Sequence, residues 1–243
     1  MGGAGLNGGA CVCGIDGCRA GWVVATVPAV GGVTRSSRDF DVRVVPSLDD
    51  VVSHLESGRV AAAAIDIPIG LAATGPRACD REARRLLGPR RSSVFPAPVR
   101  AVLGADSYRD ACAISREVSG KAVSAQLYNI LGKIREVDEV VTPRLQRQLF
   151  EACPELSFAV MSGGAPMRQN KRTAEGRDER VMALSTALGD VAGLVAAPPK
   201  GATSDDVFDA LALAWTARRS LSDSCIRLGG DVDETGLRME VIA

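Results

Sequence analysis

Aromatic residues, histidine and net charge are all scarce in this sequence. Phe, Trp and Tyr make up only 4% of the 243 residues, so small aliphatic side chains must fill most of the core. Lys plus Arg and Asp plus Glu balance at 29 each, which excludes a global positive field that would draw the protein to nucleic acid or anionic lipid. Any binding site for a polyanion is therefore expected to be a local patch.

Long apolar runs and paired-cysteine motifs are missing as well. The apolar run over residues 22–30 is interrupted by Pro28 and is far shorter than the roughly 20 residues that a membrane span needs. The residues before it lack the basic and apolar regions of a secretory signal. Seven cysteines without a C-x-x-C spacing favour buried thiols over a disulfide framework or a metal knuckle. We therefore expect a soluble, cytoplasmic protein with no membrane partner.

The order of the sequence patterns predicts one α/β domain over residues 11–243, preceded by a flexible, glycine-rich tail over 1–10. Residues 60–67 are apolar except for Asp66, which is typical of a strand covered by helices on both faces. A mixed sheet with helices on both faces is the fold that this order predicts. The predicted elements, in chain order, are strands at 11–16, 21–27 and 41–45, a helix at 48–55, a strand at 60–67, a helical insertion over about 75–145, a strand at 148–155, helices at 177–189 and 205–219, and a closing hairpin within 225–242.

Two aspartates stand in or at the end of predicted apolar strands. Asp16 ends the first strand, directly before Gly17, and Asp66 lies near the end of the strand at 60–67. A carboxylate in a buried strand costs several kcal/mol unless it is paired or coordinates a metal. The plainer alternative is that Asp16 belongs to a turn and that Asp66 reaches solvent where its strand ends at Pro68.

A third group of acids begins a helix that is otherwise apolar. Asp205, Asp206 and Asp209 fall within about 100° of one another on the helical wheel, and every other position from there to Trp215 is apolar. Acids are common at a helix N-terminus because they interact favourably with its dipole. That preference accounts for the first two aspartates, but it accounts poorly for Asp209 in the second turn.

These carboxylates together have the composition of a site for hard divalent cations. Glu151 and Glu155 add two more on one face of the strand predicted at 148–155. Clustered carboxylates repel one another unless a metal neutralises them, and two Mg²⁺ or Mn²⁺ ions would activate a water and stabilise the leaving oxygen in phosphodiester hydrolysis. The predicted catalytic residues are Asp16, Asp66, Asp206, Asp209, Glu151 and Glu155, with Asp16, Asp66 and Asp209 as direct metal ligands.

An arginine-rich segment at residues 77–91 is the local basic patch that a phosphate-binding site requires. Six arginines face only two acids there, a local excess of four positive charges. Such a patch positions phosphates, although a solvated helix in an arginine-rich chain would have the same composition. The residues predicted to bind substrate are Arg90, Arg91, Ser92, Ser93 and Lys133.

Six segments of the chain resemble the signatures of domain-of-unknown-function family 429. In order, they are GIDGCRAGW (14–22), IDIPIGL (65–71), RSSVFP (91–96), KIREVD (133–138), EACPE (151–155) and DVFDA (206–210). Members of that family are predicted nucleases, so the resemblance, which covers about residues 12–220, implies a ribonuclease-H-like fold with a helical insertion. It also implies metal-binding roles for the four aspartates Asp16, Asp66, Asp206 and Asp209, with Glu151 or Glu155 as a further ligand. Many members have His where this chain has Cys153, so a proton shuttle at that position would be lost or would fall to a thiol.

Two other functions remain open on the sequence alone. A non-catalytic module that binds nucleic acid or protein would be favoured if the carboxylates proved scattered in space. An actin-like phosphotransferase begins with a glycine-rich hairpin similar to residues 14–17, but such enzymes normally need two related domains, for which this chain is too short. For the nuclease, nucleic acid is the expected substrate and Mg²⁺ or Mn²⁺ the expected cofactor, with DNA, RNA and a small phosphoester all still open.

Overall fold

A five-stranded mixed sheet forms the centre of the protein. A computed structural model describes residues 10–30, 39–222 and 224–243. The strands of the sheet are β1 (Cys11–Cys18), β2 (Gly21–Pro28), β3 (Asp41–Val45), β4 (Val60–Ile65) and β5 (Leu149–Glu151). A separate hairpin consists of β6 (Arg227–Val232) and β7 (Arg238–Ile242). The helices are α1 (Asp49–Glu56), α2 (Ala78–Leu87), α3 (Tyr108–Ser119), α4 (Ala125–Asn129), α5 (Leu131–Val140), α6 (Pro154–Met161), α7 (Ala174–Leu188), α8 (Ala192–Ala196) and α9 (Ser204–Ser220). Most of the predicted N-terminal tail, residues 1–9, lies outside the described residues.

The strand order places three parallel strands side by side. The sheet runs β3-β2-β1-β4-β5, with β2 antiparallel to both of its neighbours and β1, β4 and β5 parallel to one another. The predicted leading hairpin is therefore confirmed, and residues 11–16 and 60–65 lie in one sheet. Because parallel strands end at the same edge, the residues that follow β1, β4 and β5 are brought together there.

Helices cover both faces of this sheet, as predicted. On one face, Ile15 and Trp22 share a buried cluster with α1 and with helices α3 to α5. On the other, Val12 and Val23 pack against α7 and α9. Helix α9 lies so close to β1 that a Cβ added at Gly14 would stand 1.9 Å from the carbonyl oxygen of Ala210. The protein is thus an α/β fold with a mixed sheet, and its architecture is compatible with the ribonuclease-H-like fold.

All the regular secondary structure between β4 and β5 is helical, as the periodicity predicted. This segment contains α2 to α5 and short 3-10 helices at Gly88–Ser93 and Arg100–Gly104.

Within the ranges that the structure describes, no helix is long and apolar enough to cross a membrane.

The predicted strand at 148–155 is wrong beyond Glu151. Strand β5 has only three residues, and helix α6 begins at Pro154. Proline is well tolerated in the first turn of a helix because its missing N–H has no intrahelical partner there. Glu151 and Glu155 therefore lie on different elements and do not share a strand face. The strand predicted at 60–67 also ends earlier, at Ile65, which leaves Asp66 just beyond it.

Candidate functional site

Asp16 and Asp66 meet at the edge where the parallel strands end. The Cα atoms of Ile15 and Ile65 are paired across β1 and β4, and the N–H of Asp66 donates to the carbonyl of Ile15 at 3.1 Å. Asp16 and Asp66 therefore lie side by side, just past the last paired residues of β1 and β4. Strand β1 continues to Cys18, two residues further than the sequence predicted, so Asp16 lies inside it and not at its end. The pKa of Asp16 is raised well above its usual range by burial and by repulsion from Asp209, Asp66 and Asp206.

Helix α9 delivers the other two aspartates to the same place. Asp206 completes a capping box, since its N–H donates to the hydroxyl of Thr203 while its own carboxylate accepts the N–H of Thr203 at 2.7 Å. Asp209 is buried almost one turn later, and burial raises its pKa while Lys171 opposes that shift. The charges of Asp206 and Asp209 both raise the pKa of Asp16, which supports the sequence prediction that these two residues lie near Asp16.

A lysine that sequence reasoning did not assign to the site neutralises part of the cluster. The Nζ of Lys171 donates to Oδ2 of Asp209 at 2.6 Å. Burial acts to lower the pKa of Lys171, but Asp209 and, more weakly, Asp16 raise it above its usual range. The sequence offered no spacing signal for this contact, because it joins residues 38 positions apart across a loop.

The loop that carries Lys171 is held from two directions. The guanidinium of Arg90 donates to the backbone carbonyl of Met167 at 3.0 Å and to that of Gln169. The carboxylate of Glu179 accepts the backbone N–H groups of residues 168 and 169, each at 2.9 Å. Arg90, predicted to bind substrate, is therefore engaged in positioning this loop.

Asp66 lies at the open floor of the site and has a pKa near neutrality. Desolvation by the surrounding protein and repulsion from Asp209 raise the pKa of Asp66 to about 7, with a further contribution from Glu151 and an opposing one from Lys171. Asp66 is nevertheless an exposed residue, and it lines both cavities of the site. An aspartate of this kind can take up or release a proton near physiological pH.

The protein without metal is expected to lose stability as pH rises through the titration of Asp66. The folded state holds this proton up to about pH 7, whereas an unfolded aspartate releases it near pH 4. The folded state therefore binds more protons between these values, so the free energy of unfolding falls as pH rises across that window. Asp66→Asn should raise the melting temperature by a few degrees at pH 8 and by much less at pH 4, measured in EDTA. An equal shift at both pH values would contradict the raised pKa.

Glu151 is present at the site but is committed to a buried ion pair. Its two carboxylate oxygens each accept from Arg77 at 2.7 Å, and one also accepts the N–H of Ile69 at 2.8 Å. Arg77, whose side chain is 1% exposed, also pairs with Asp80 at 2.5 Å. Burial raises the pKa of Glu151 and Arg77 opposes that shift. Sequence reasoning counted Arg77 in the basic patch, but it lies in the interior.

Glu155 faces the same cavity from the start of helix α6. Its Oε1 accepts from Arg180 at 2.5 Å, and its Oε2 is buried without a hydrogen-bond partner among the described residues. It lines one cavity together with Asp66, Asp209 and Lys171. Cys153 lies beside them, and burial raises the pKa of its thiol, which keeps the thiol protonated at neutral pH.

Two adjoining cavities form a cleft along this edge of the sheet. The first, of about 530 Å³, contains Asp66 and Asp209, and the second, of about 1000 Å³, contains Asp16 and Asp206. The residues that line both are Asp66, Phe95, Asn129 and Ile130. We call the combined space the carboxylate cleft. It brings the four predicted aspartates to one continuous surface.

The predicted substrate-binding residues differ in their relation to this cleft. Ser92 and Ser93 line the first cavity. Lys133 lines the second, where its Nζ donates to the carbonyl of Gly21 at 2.5 Å and lies 4.1 Å from the centre of the Trp22 ring. Arg91 is exposed and lines neither cavity.

The acidic side chains of the carboxylate cleft form a charged cluster and not a closed metal-coordination sphere. Among the residues that the structure describes, no three His, Cys, Asp or Glu side chains converge on a point that would hold a metal ion. The ammonium group of Lys171 instead supplies the positive charge next to Asp209.

Comparison with known proteins places the chain in a family. No curated protein and no solved structure matches it. The model of a family described as protein of unknown function (DUF429) matches residues 14–234, a range that includes all four aspartates of the carboxylate cleft. The resemblance drawn from the six sequence segments is thereby confirmed, and the chain belongs to the DUF429 family.

Proposed function

We propose that this protein is a metal-dependent phosphodiester hydrolase that cleaves nucleic acid with Mg²⁺ or Mn²⁺. The observation that carries the proposal is that Asp16 of β1, Asp66 just after β4 and Asp209 of helix α9 all line the carboxylate cleft. A cluster of mutually repelling carboxylates is unfavourable unless a cation balances it. The clustering of these carboxylates in one cleft therefore supports a cation-binding role.

The donor set suits the proposed metals in its chemistry. It offers carboxylate oxygens, which Mg²⁺ and Mn²⁺ prefer, and Glu155 lines the same cavity as Asp66 and Asp209. Asp16, Asp66 and Asp209 would hold the metal, with Asp206 and Glu155 beside them. When bound, the metal would activate a water and stabilise the leaving oxygen of the phosphodiester.

The other residues of the cleft would bind and orient the substrate. The hydroxyls of Ser92 and Ser93 line the cavity that contains Asp66 and can donate to phosphate oxygens. Arg172 adds positive charge in this cavity, and Lys133 adds positive charge in the second cavity of the cleft. The thiol of Cys153, protonated at neutral pH, would not act as a general base. We place this activity in the cytoplasm.

A direct assay tests the proposal. The purified protein is incubated with Mg²⁺, with Mn²⁺ or with EDTA on single-stranded, duplex and branched DNA and on an RNA–DNA hybrid. We expect cleavage of at least one of these substrates with a divalent metal and none in EDTA, and calorimetric titration should detect metal binding. If no substrate is cleaved while nucleic acid still binds, the protein is a binding module instead.

Lys171 is expected to compete with the metal for Asp209. Lys171→Met leaves the buried carboxylate of Asp209 without its ammonium partner, which should lower the free energy of unfolding of the metal-free protein at pH 8 by about 1–3 kcal/mol. Saturating Mg²⁺ should recover most of that loss, and the Kd for Mg²⁺ should fall. Chemical denaturation and calorimetry measure the two effects.

The control for this substitution is Arg172→Met, which removes a neighbouring, exposed positive charge from the same loop. It should leave the stability of the metal-free protein unchanged. If the Lys171→Met protein binds Mg²⁺ more weakly than the unaltered protein does, the ammonium group of Lys171 does not occupy the place of a cation.

A further inference from the structure

Phe95 is an exposed aromatic ring in the wall of the carboxylate cleft. Its side chain is 47% exposed, whereas the other four phenylalanines are all buried. It lines three cavities, and Asp66 lines each of them too. Leaving such a ring in water forfeits part of the roughly 1.5–3 kcal/mol that its burial would contribute. The ring therefore stands uncovered next to a carboxylate that we propose as a metal ligand.

The backbone that carries Phe95 is held on both sides. The carbonyl of Val94 accepts from the guanidinium of Arg84 at 2.5 Å, and the N–H of Ala97 donates to the carboxylate of Asp80 at 2.9 Å. Asp80 is itself fixed by Arg77. The exposure of the ring is thus a property of an anchored segment, and the ring needs little reordering when something packs against it.

We propose that Phe95 is a stacking platform for an unpaired nucleobase, so that the substrate is a single-stranded nucleic acid. This inference rests on the proposed function, and it specifies the substrate class. Proteins that bind single strands combine positive charge along the backbone with aromatic rings on which bases stack. In a duplex, the base faces are covered by their neighbours, so a ring can contact one only after the base leaves the stack.

The surroundings of the ring suit a nucleotide. The amide side chains of Gln126 and Asn129 are exposed in the same 530 Å³ cavity, and an amide both donates and accepts, as the edge of a base requires. Ser92 and Ser93 lie in the same cavity and suit the phosphate. A cavity of this volume falls within the range of about 300–1000 Å³ that is usual for ligand sites.

Fluorescence of 2-aminopurine tests the inference independently of cleavage. Single-stranded oligonucleotides that carry 2-aminopurine, in DNA and in RNA form, are titrated with the Asp16→Asn protein in Mg²⁺, with and without a change at position 95. We expect quenching on binding, because the base stacks on the ring. Phe95→Leu, which keeps apolar volume but removes the ring, should weaken affinity roughly 5- to 150-fold and abolish the quenching, whereas Phe95→Trp should retain both.

The matched control is Leu86→Ala. Leu86 is 50% exposed on α2 and lines none of the three cavities, so its replacement should leave affinity and quenching unchanged. Equal binding and quenching by the Phe95→Leu protein would overturn the inference, as would a preference for duplex or a complete lack of oligonucleotide binding.

Cleavage by the protein with native Asp16, measured in parallel, separates this inference from the proposed function. If the Phe95→Leu protein cleaves single strands as fast as the unaltered protein, the proposal of a hydrolase stands and the proposal of a stacking platform is rejected. Quenching that depends on Phe95, without any cleavage, would retain the platform and reject the hydrolase.

Discussion

Asp16→Asn is expected to reduce Mg²⁺-dependent phosphodiester cleavage at least about a thousand-fold while the fold is retained. Asp16 lies inside β1 beside Asp66, and burial together with repulsion from Asp209, Asp66 and Asp206 raises its pKa. If the metal contributes several kcal/mol of transition-state stabilisation, removal of a central ligand forfeits a factor of this size. Initial rates of cleavage at saturating Mg²⁺ measure it.

The same substitution should raise the melting temperature in EDTA. A neutral amide of the same shape removes a charge whose burial and repulsion are unfavourable. A gain in stability together with a loss of activity distinguishes a site residue from one that merely supports the fold. Asp209→Asn should also lose activity, but with a smaller gain in stability, because it also removes the partner of Lys171.

Asp205→Asn is the matched control. Asp205 lies beside Asp206 in the first turn of α9, but it lines neither cavity of the carboxylate cleft. It should cleave at the rate of the unaltered protein. Equal activity of the Asp16→Asn and unaltered proteins would contradict the proposed mechanism.

The sequence predicted the sheet and singled out the four aspartates of the carboxylate cleft, because both depend on local patterns. Strands β1 and β4 are short apolar runs, and an aspartate at the end of such a run stands out against them. The three acids at the start of an otherwise apolar helix α9 are equally visible. Once β1 and β4 are taken as parallel neighbours, the meeting of Asp16 and Asp66 follows from the geometry of the sheet.

The parts that the sequence did not predict depend on contacts between distant segments. Arg77 looked like one more charge of a basic patch, and only the fold shows it enclosed with Glu151, 74 positions away. Lys171 reaches Asp209 from a loop without regular periodicity. Glu155 was assigned to a strand because alternation over a few residues does not distinguish a short strand from the start of a helix.

Arg77→Met is expected to lower the free energy of unfolding by about 3–5 kcal/mol, the cost of leaving a buried charge without its partner. The change strips both oxygens of Glu151 and the carboxylate of Asp80 of their partner in the interior. It also removes the donor to the carbonyls of Ile69 and Gly70. Urea denaturation monitored by tryptophan fluorescence measures the loss, and Glu151→Gln should lose less because the amide keeps one acceptor.

The double variant Arg77→Met with Glu151→Met tests whether this is the physical cause. Removing both charges leaves only Asp80 uncompensated, so the double variant should be more stable than the sum of the two single losses predicts. Glu56→Gln, at the exposed end of α1, should leave stability unchanged. If Glu151→Gln instead unfolds at the same urea concentration as the unaltered protein but no longer binds Mg²⁺, then Glu151 serves the metal directly and Arg77 only orients it.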